Sequence, residues 1–222
     1  MRSMHLITVA VLFLLSACAR DEKLQHLESK NGFAVMVAPA SNEKLATFAG
    51  GCFWATQEAM MELKGVHKVI SGYAGGTKPN PNYQDLQSQT TGYAEAVQVY
   101  YDPAVISFET LGKAFFYAHD PTQLDGQGPD IGPEYRSIAF FRSPEEYHIL
   151  SSLIRHLELT DFKGKTIATE LLPFEMIYPA ETEHQDYYQR NQTESYIRKV
   201  SMPKVMKLRA KMPEFIKSEY LK

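Results

Sequence analysis

Leu45-Ala46-Thr47-Phe48-Ala49-Gly50-Gly51-Cys52-Phe53-Trp54 reads as a short apolar strand, a two-glycine break and the start of a helix. Helical spacing runs on to about Leu63, and Val66–Tyr73 then reads as a strand that Gly75-Gly76 ends. Further out, Ala94–Tyr101 alternates, with Glu95, Val97, Val99 and Tyr101 on one face and Ala96, Gln98 and Tyr100 on the other. Ser107 caps a helix to His119 that carries Leu111, Phe115 and Ala118 on one side. Arg136–Phe141 is a strand, and Ser143-Pro144-Glu145-Glu146 is a capping box with Pro at the first helical position. Tyr147, Leu150, Ile154 and Leu157 give that helix its expected buried stripe. Ile167–Leu172 is a further strand, and a C-terminal helix is expected near Pro203–Phe215. Lys78–Thr91, rich in Pro, Asn and Gln, and Asp120–Glu134, dense in Gly, Pro and Asp, read as loops. The pattern predicts an α/β (α+β) fold: a two-layer sandwich with a mixed sheet, helices packed on one face, a ferredoxin-like βαβ core and long loops.

The 222 residues suit one domain with tails, and 44% hydrophobic against 22% charged residues is enough to bury a core. A net charge of −3 removes a strongly basic surface, so no nucleic-acid partner is expected. Two cysteines, Cys18 and Cys52, exclude a disulfide-dense scaffold and a four-thiolate zinc site.

Leu6–Ala17 is an apolar run behind Arg2, too short to span a membrane and suited to the core of a signal peptide. It closes as Leu15-Ser16-Ala17-Cys18, similar to the lipobox of bacterial lipoproteins, in which the cysteine carries acyl chains. A plain signal peptide with an incidental cysteine is the alternative. The expected organisation is a signal peptide over 1–17, a lipid-anchored tether over 18–42, a catalytic domain over 43–200 and a helical tail over 201–222. The expected location is the cell envelope, anchored through Cys18 at the outer membrane or periplasmic face; Ala19 after the cysteine suits the outer membrane.

A cysteine between a strand and a helix start sits where backbone N–H groups and the helix dipole favour a thiolate. Gly50 and Gly51 would let a substrate approach the backbone, and Phe53 and Trp54 would wall the nucleophile for a small apolar group. The alternative is a buried structural cysteine. Glu95 shares its strand face with Val97 and Val99, so its carboxyl either points into an apolar interior with a raised pKa or stays in water at the strand end. Tyr83, Asp130 and Tyr135 add polar groups from the two loops. Gly126 and Gly128 lack the third glycine of a dinucleotide fingerprint, and no His-Glu-x-x-His occurs. His119, His148, His156 and His184 show no metal spacing and read as surface or capping residues, so no metal is expected.

These residues, taken in order, resemble the A-type peptide methionine sulfoxide reductases. Phe48-Ala49-Gly50-Gly51-Cys52-Phe53-Trp54 matches their nucleophile motif. Gly72–Gly76, Pro79-Asn80-Pro81-Asn82-Tyr83, Thr91-Gly92-Tyr93-Ala94-Glu95, Tyr101-Asp102-Pro103, His119–Gln123, Asp130-Ile131-Gly132, Tyr135-Arg136-Ser137 and Glu183-His184-Gln185-Asp186-Tyr187 follow in family order, over roughly residues 45–195.

The resemblance implies that Cys52 attacks the sulfur of the S epimer of methionine sulfoxide, free or in proteins, and becomes a sulfenic acid. Phe53 and Trp54 would hold the substrate methyl group, Glu95 would protonate the sulfoxide oxygen, Tyr83 and Tyr135 would hydrogen-bond it, and Asp130 would position water. The chain departs from the family at Ala55, Tyr93, Gly126 and Pro133-Glu134. It departs further in having no cysteine after Cys52, where many members carry a resolving cysteine. A single-cysteine variant implies no bound cofactor, an external thioredoxin-like thiol reductant and oxidised proteins as partners; a monomer is expected. A cysteine hydrolase using Cys52 with His119 or His184 and Asp130 is the competing enzyme class, and a non-catalytic lipoprotein that binds methionine-rich or oxidised partners is the other competing reading.

Overall fold

The computed structural model describes residues 29–221, so the signal segment, Cys18 and the first part of the tether lie outside the described residues. It opens with a hairpin of β1 (Ser29–Lys30) and β2 (Phe33–Ala34), closed by Asn31 and Gly32 at φ 54° and 82°. An Asn-Gly pair with both residues at positive φ is the turn that matches strand twist. Then follow β3 (Lys44–Gly50), α1 (Phe53–Met61), β4 (Val66–Ala74), α2 (Tyr83–Gln87), β5 (Ala94–Tyr101) and α3 (Phe108–Ala118). The second half comprises the hairpin β6 (Gly126–Gln127) and β7 (Asp130–Ile131), β8 (Ser137–Phe141), α4 (Pro144–Leu159), β9 (Glu170–Pro173), β10 (Ile177–Pro179) and α5 (Tyr187–Arg190). A π-helical stretch, Ile197–Ser201, leads into α6 (Met202–Lys211).

The main sheet has the order β10-β4-β5-β3-β8-β9, antiparallel throughout except for β8 beside β9. β3 and β4, joined by α1, run parallel with β5 inserted antiparallel between them. That split βαβ is the expected ferredoxin-like core in a mixed sheet.

Helices cover one face. Phe48, Val69, Val97, Val99 and Tyr101 meet Met60, Phe115, Leu150, Leu157, Val205 and Leu208 in one apolar core. The opposite face is not open to water as the two-layer pattern suggested. Ala49, Ala74, Ala94, Ala96, Ile138 and Phe140 pack against Met36, Phe174 and Leu172 of β9, and Ile70 and Tyr100 pack against Met36, Val37 and Leu45 of β3. The alanines leave room for extended chain to lie flat on the sheet, so β5 is buried along its whole length. Its alternation separates two cores, not core from solvent.

Three expectations change accordingly. The tether expected over 18–42 is docked where it is described: Ala34 N–H donates to Ala180 O at 3.1 Å, and the Tyr100 hydroxyl donates to Val37 O at 2.9 Å. The C-terminal tail expected from residue 201 is part of the domain, because Val205, Leu208, Met212 and Ile216 are buried and Arg209 pairs with the fully buried Glu62. On α4 the buried stripe is Leu150, Leu153 and Leu157, while Tyr147 is 41% exposed and Ile154 only half-buried. The helix turns Leu150 and Leu153 onto Gly112 of α3, whose missing side chain lets the two helices approach. Ser143 does cap α4, but Glu146 reaches back to Arg142 N–H at 2.7 Å, one residue before the expected partner.

The loop expected over Lys78–Thr91 contains α2, nucleated by Asn82 and Asp85, which accept each other's backbone N–H bonds at 2.9 and 3.1 Å. That box places Tyr83 at the first position of the helix.

Leu153→Ala should lower the unfolding free energy by about 2–5 kcal/mol, and Tyr147→Ala by less than about 1 kcal/mol. Urea melts of the two variants check the orientation of α4; comparable losses would contradict it.

Candidate active site

β3 delivers Gly50 and Gly51 to the edge of the core. Gly51 has φ +83°, and a Cβ there would stand 2.4 Å from the Gln127 side chain and 3.4 Å from Lys204 Nζ. Gln127 is held by Asp120, accepting from its N–H at 3.0 Å and donating to its carbonyl at 2.9 Å. The close approach expected at Gly51 is therefore made by the protein's own Gln127, not left open to a substrate.

Cys52 is the N-cap residue of α1 and is 5% exposed. The first amide of the helix, Phe53 N–H, donates to Glu95 Oε2 at 2.9 Å. Glu95 is 2% exposed, which decides between its two sequence readings in favour of the interior. Burial, reinforced by Asp130 and Glu134 and opposed by the Phe53 N–H and Lys204, pushes its carboxyl up to about 8. It is protonated at neutral pH. Oε2 is held as the hydrogen-bond acceptor, so the proton resides on the other oxygen.

The thiolate expected from the helix start is not the resting form of Cys52. Burial and the neighbouring Glu95 push the thiol well above its ordinary range, and the Trp54 backbone and Tyr196 pull the other way without prevailing. The helix N-terminus is taken up by the Glu95 carboxyl, and a buried neutral thiol lies beside a buried neutral acid.

Tyr83 and Tyr135 both feel Glu95 and Cys52. Burial pushes Tyr83 up to about 12, and Tyr135, presented by the turn Pro133–Tyr135, is also raised mainly by burial. Both hydroxyls remain protonated donors. Asp130, on β7, accepts from the Tyr196 hydroxyl at 2.6 Å and lies 3.9 Å from Lys204 Nζ. Glu134 is buried and accepts from Gln89 Nε2 at 3.2 Å. All five expected catalytic side chains thus converge.

Aromatic rings enclose them. Trp54 stacks on Tyr187 at 3.8 Å between centroids and meets Tyr196 edge-on at 5.7 Å. His184 lies 4.4 Å from the Tyr83 ring, 5.4 Å from Phe53 and 6.0 Å from Trp54. His119 and His184, expected at the surface or as caps, are both buried, while His148 and His156 are exposed. His119 binds Phe115 O and Ser137 Oγ through its two ring nitrogens, each at 2.8 Å, and burial pulls it down to about 3. Neither of its nitrogens is left for Cys52, which removes that base from a hydrolase reading. Among the departures, Tyr93 is buried, with its ring against Gly76 and its hydroxyl donating to Lys78 O at 2.8 Å.

Sequence reading assigned no role to Tyr187, Tyr196, Glu134 or Lys204, and gave His184 one only as an alternative base of a hydrolase. For Lys204 a signal existed: it falls on the helical face set by Ser201 and Leu208, where an apolar residue is the norm. Among the described residues no group of three His, Cys, Asp or Glu is placed to hold a metal ion.

A family model described as peptide methionine sulfoxide reductase matches residues 44–215, from the start of β3 to beyond α6. The chain belongs to the peptide methionine sulfoxide reductase family. The peptide methionine sulfoxide reductase MsrA of Thermus thermophilus is 47% identical over 167 residues, covering 75% of this chain and 94% of the relative. The MsrA of Saccharolobus solfataricus is 42% identical over 174 residues, covering 78% and 97%. Among solved structures, reduced Mxr1 from Saccharomyces cerevisiae superposes with a TM-score of 0.67 at 33% identity, covering 72% of this chain and 92% of that one. Methionine sulfoxide reductase A of Corynebacterium diphtheriae gives 0.62 at 31% identity, covering 70% and 78%. This peptide methionine sulfoxide reductase therefore reduces methionine sulfoxide, and its catalytic domain includes α6.

Because Glu95 holds its proton below about 8 and loses it above, single-turnover reduction should show a limb that falls as pH rises through that value. Glu95→Gln cannot titrate and should lack the limb. A limb retained in that variant would assign it to another group.

Proposed function

We propose that this reductase acts on the S epimer of methionine sulfoxide, free or in proteins, through a sulfenic acid on Cys52, and so repairs oxidised proteins. The observation that carries the reading is the bond from Phe53 N–H to Glu95 Oε2, which holds a protonated carboxyl beside the thiol. The Cys52 sulfur attacks the sulfoxide sulfur while Glu95 gives its proton to the sulfoxide oxygen and recovers one from the thiol. The oxygen then passes to Cys52 as the sulfur–oxygen bond of the substrate breaks, leaving a thioether and Cys52–SOH. Tyr83 and Tyr135 donate to the oxygen as charge develops on it. Phe53 and Trp54 hold the methyl group, and Asp130 orders water through its bond with Tyr196.

The cycle is of the single-cysteine kind, since no cysteine follows Cys52 in this sequence. An external thioredoxin-like thiol attacks the sulfenic sulfur, releasing water and forming a mixed disulfide, and a second thiol frees Cys52. Cys18 carries the lipid anchor after removal of residues 1–17, which fixes the enzyme in the cell envelope.

Glu95→Gln should slow sulfenic acid formation by about 10²–10⁴-fold, the usual loss when a general acid is removed. Single-turnover reduction of the separated epimers with sulfenic acid trapping checks both claims; an unchanged rate removes Glu95 from the acid role, and preference for the R epimer overturns the substrate assignment. Cys18→Ala should leave turnover intact and release the enzyme from membranes on fractionation. Persistent membrane association of that variant would count against the anchor.

A further inference from the structure

Lys204 brings a cation into a site built from acids and hydroxyls. It comes from α6, on the C-terminal side of every motif recognised in the sequence. Its side chain is 13% exposed, and its Nζ is buried without a hydrogen-bond partner. The carboxylate beside it, Asp130 Oδ2, lies 3.9 Å away and already accepts from the Tyr196 hydroxyl at 2.6 Å. The ammonium also lies 3.4 Å from the place a side chain on Gly51 would fill, next to Cys52 in the chain. An ammonium has three donors and is costly to bury unless anionic charge faces it. Burial pulls Lys204 down, and Asp130, Cys52 and Glu95 hold it up in that order.

We propose that Lys204 is the electrostatic partner of the Cys52 sulfur: its ammonium favours the thiolate that attacks the sulfoxide and the thiolate that departs when the mixed disulfide is cleaved. The inference rests on the reading of Cys52 as the nucleophile. In the departing step a thiolate of the reductant attacks its own sulfur in the mixed disulfide. The sulfur–sulfur bond breaks, and its electron pair leaves on Cys52, facing Lys204. The local balance explains why a cation is needed there. Glu95 on β5 and Asp130 on β7 both oppose negative charge on Cys52, and Glu134 acts in the same sense on Glu95. The hydroxyls of Tyr83, Tyr135, Tyr187 and Tyr196 interact with the same sulfur but stay neutral. His119, behind Lys204, is neutral too.

A merely structural lysine, tying α6 to the β6–β7 hairpin through Asp130, would change stability and leave the titration of Cys52 alone. The test uses the full chain in a Cys18→Ala background, with Cys52 alkylation by iodoacetamide followed against pH. Lys204→Met should move the alkylation profile to higher pH by about one unit, a roughly tenfold loss of rate at a fixed pH below the midpoint. It should slow release of Cys52 from a mixed disulfide in parallel, and Lys204→Arg should recover most of both losses. A Lys204→Met profile that superimposes on the parent, or losses that Lys204→Arg does not recover, would overturn the proposal. Cys52→Ser separates the two readings: turnover persisting in it sinks the nucleophile assignment, whereas abolished turnover with an unmoved Lys204→Met profile sinks only the role of Lys204.

Discussion

One hydrogen bond, from Phe53 N–H to the Glu95 carboxyl at 2.9 Å, holds the site together. It joins the first amide of α1 to a side chain on β5, 42 positions further along the sequence. The orphan donors of a helix start need acceptors, and here the acceptor is a buried, protonated carboxyl. The bond fixes the corner at which β3 becomes α1, and with it the position of Cys52, against the central strand of the sheet. It also selects which carboxyl oxygen carries the proton.

Burial then sets the charge state. A carboxyl and a thiol removed from water both favour their neutral forms, and Glu95 further disfavours ionisation of Cys52. The resting site therefore holds protons on both partners, with the neutral hydroxyls of Tyr83 and Tyr135 beside them and that of Tyr196 donating to Asp130. A polar sulfoxide entering between them supplies the dipole to which these protons respond. The aromatic enclosure of Phe53, Trp54, His184 and Tyr187 keeps bulk water from competing. Two of its members, His184 and Tyr187, come from the C-terminal part of the chain, which belongs to the site as much as the corner between β3 and α1 that carries Cys52.

Much of the fold was legible because local rules govern it. The β3–α1–β4 unit, the alternation of β5, the Ser107 cap of α3 and the Ser143 cap of α4 follow from periodicity and side-chain capping within a few residues. The short helix α2 hides in a stretch whose Pro and Asn density marks a loop, although Asn82 and Asp85 spell out its cap. The second cover of the sheet was invisible for a different reason. Met36, Val37 and Phe174 lie in irregular segments without a period, and only the small alanines opposite them explain why they fit.

The sequence by itself determined the family and the order of elements that brings Cys52 and Glu95 to one edge, since these are written in contiguous motifs and short-range spacing. Only the tertiary structure decided the ionisation of Cys52, the burial of His119 and His184, and the presence of Tyr196 and Lys204 at the sulfur. The physical reason is range. A helix dipole can be read from the residues that make the helix, but desolvation and the field of Glu95 depend on what the rest of the chain packs around the thiol. In this protein those distant terms outweigh the local one.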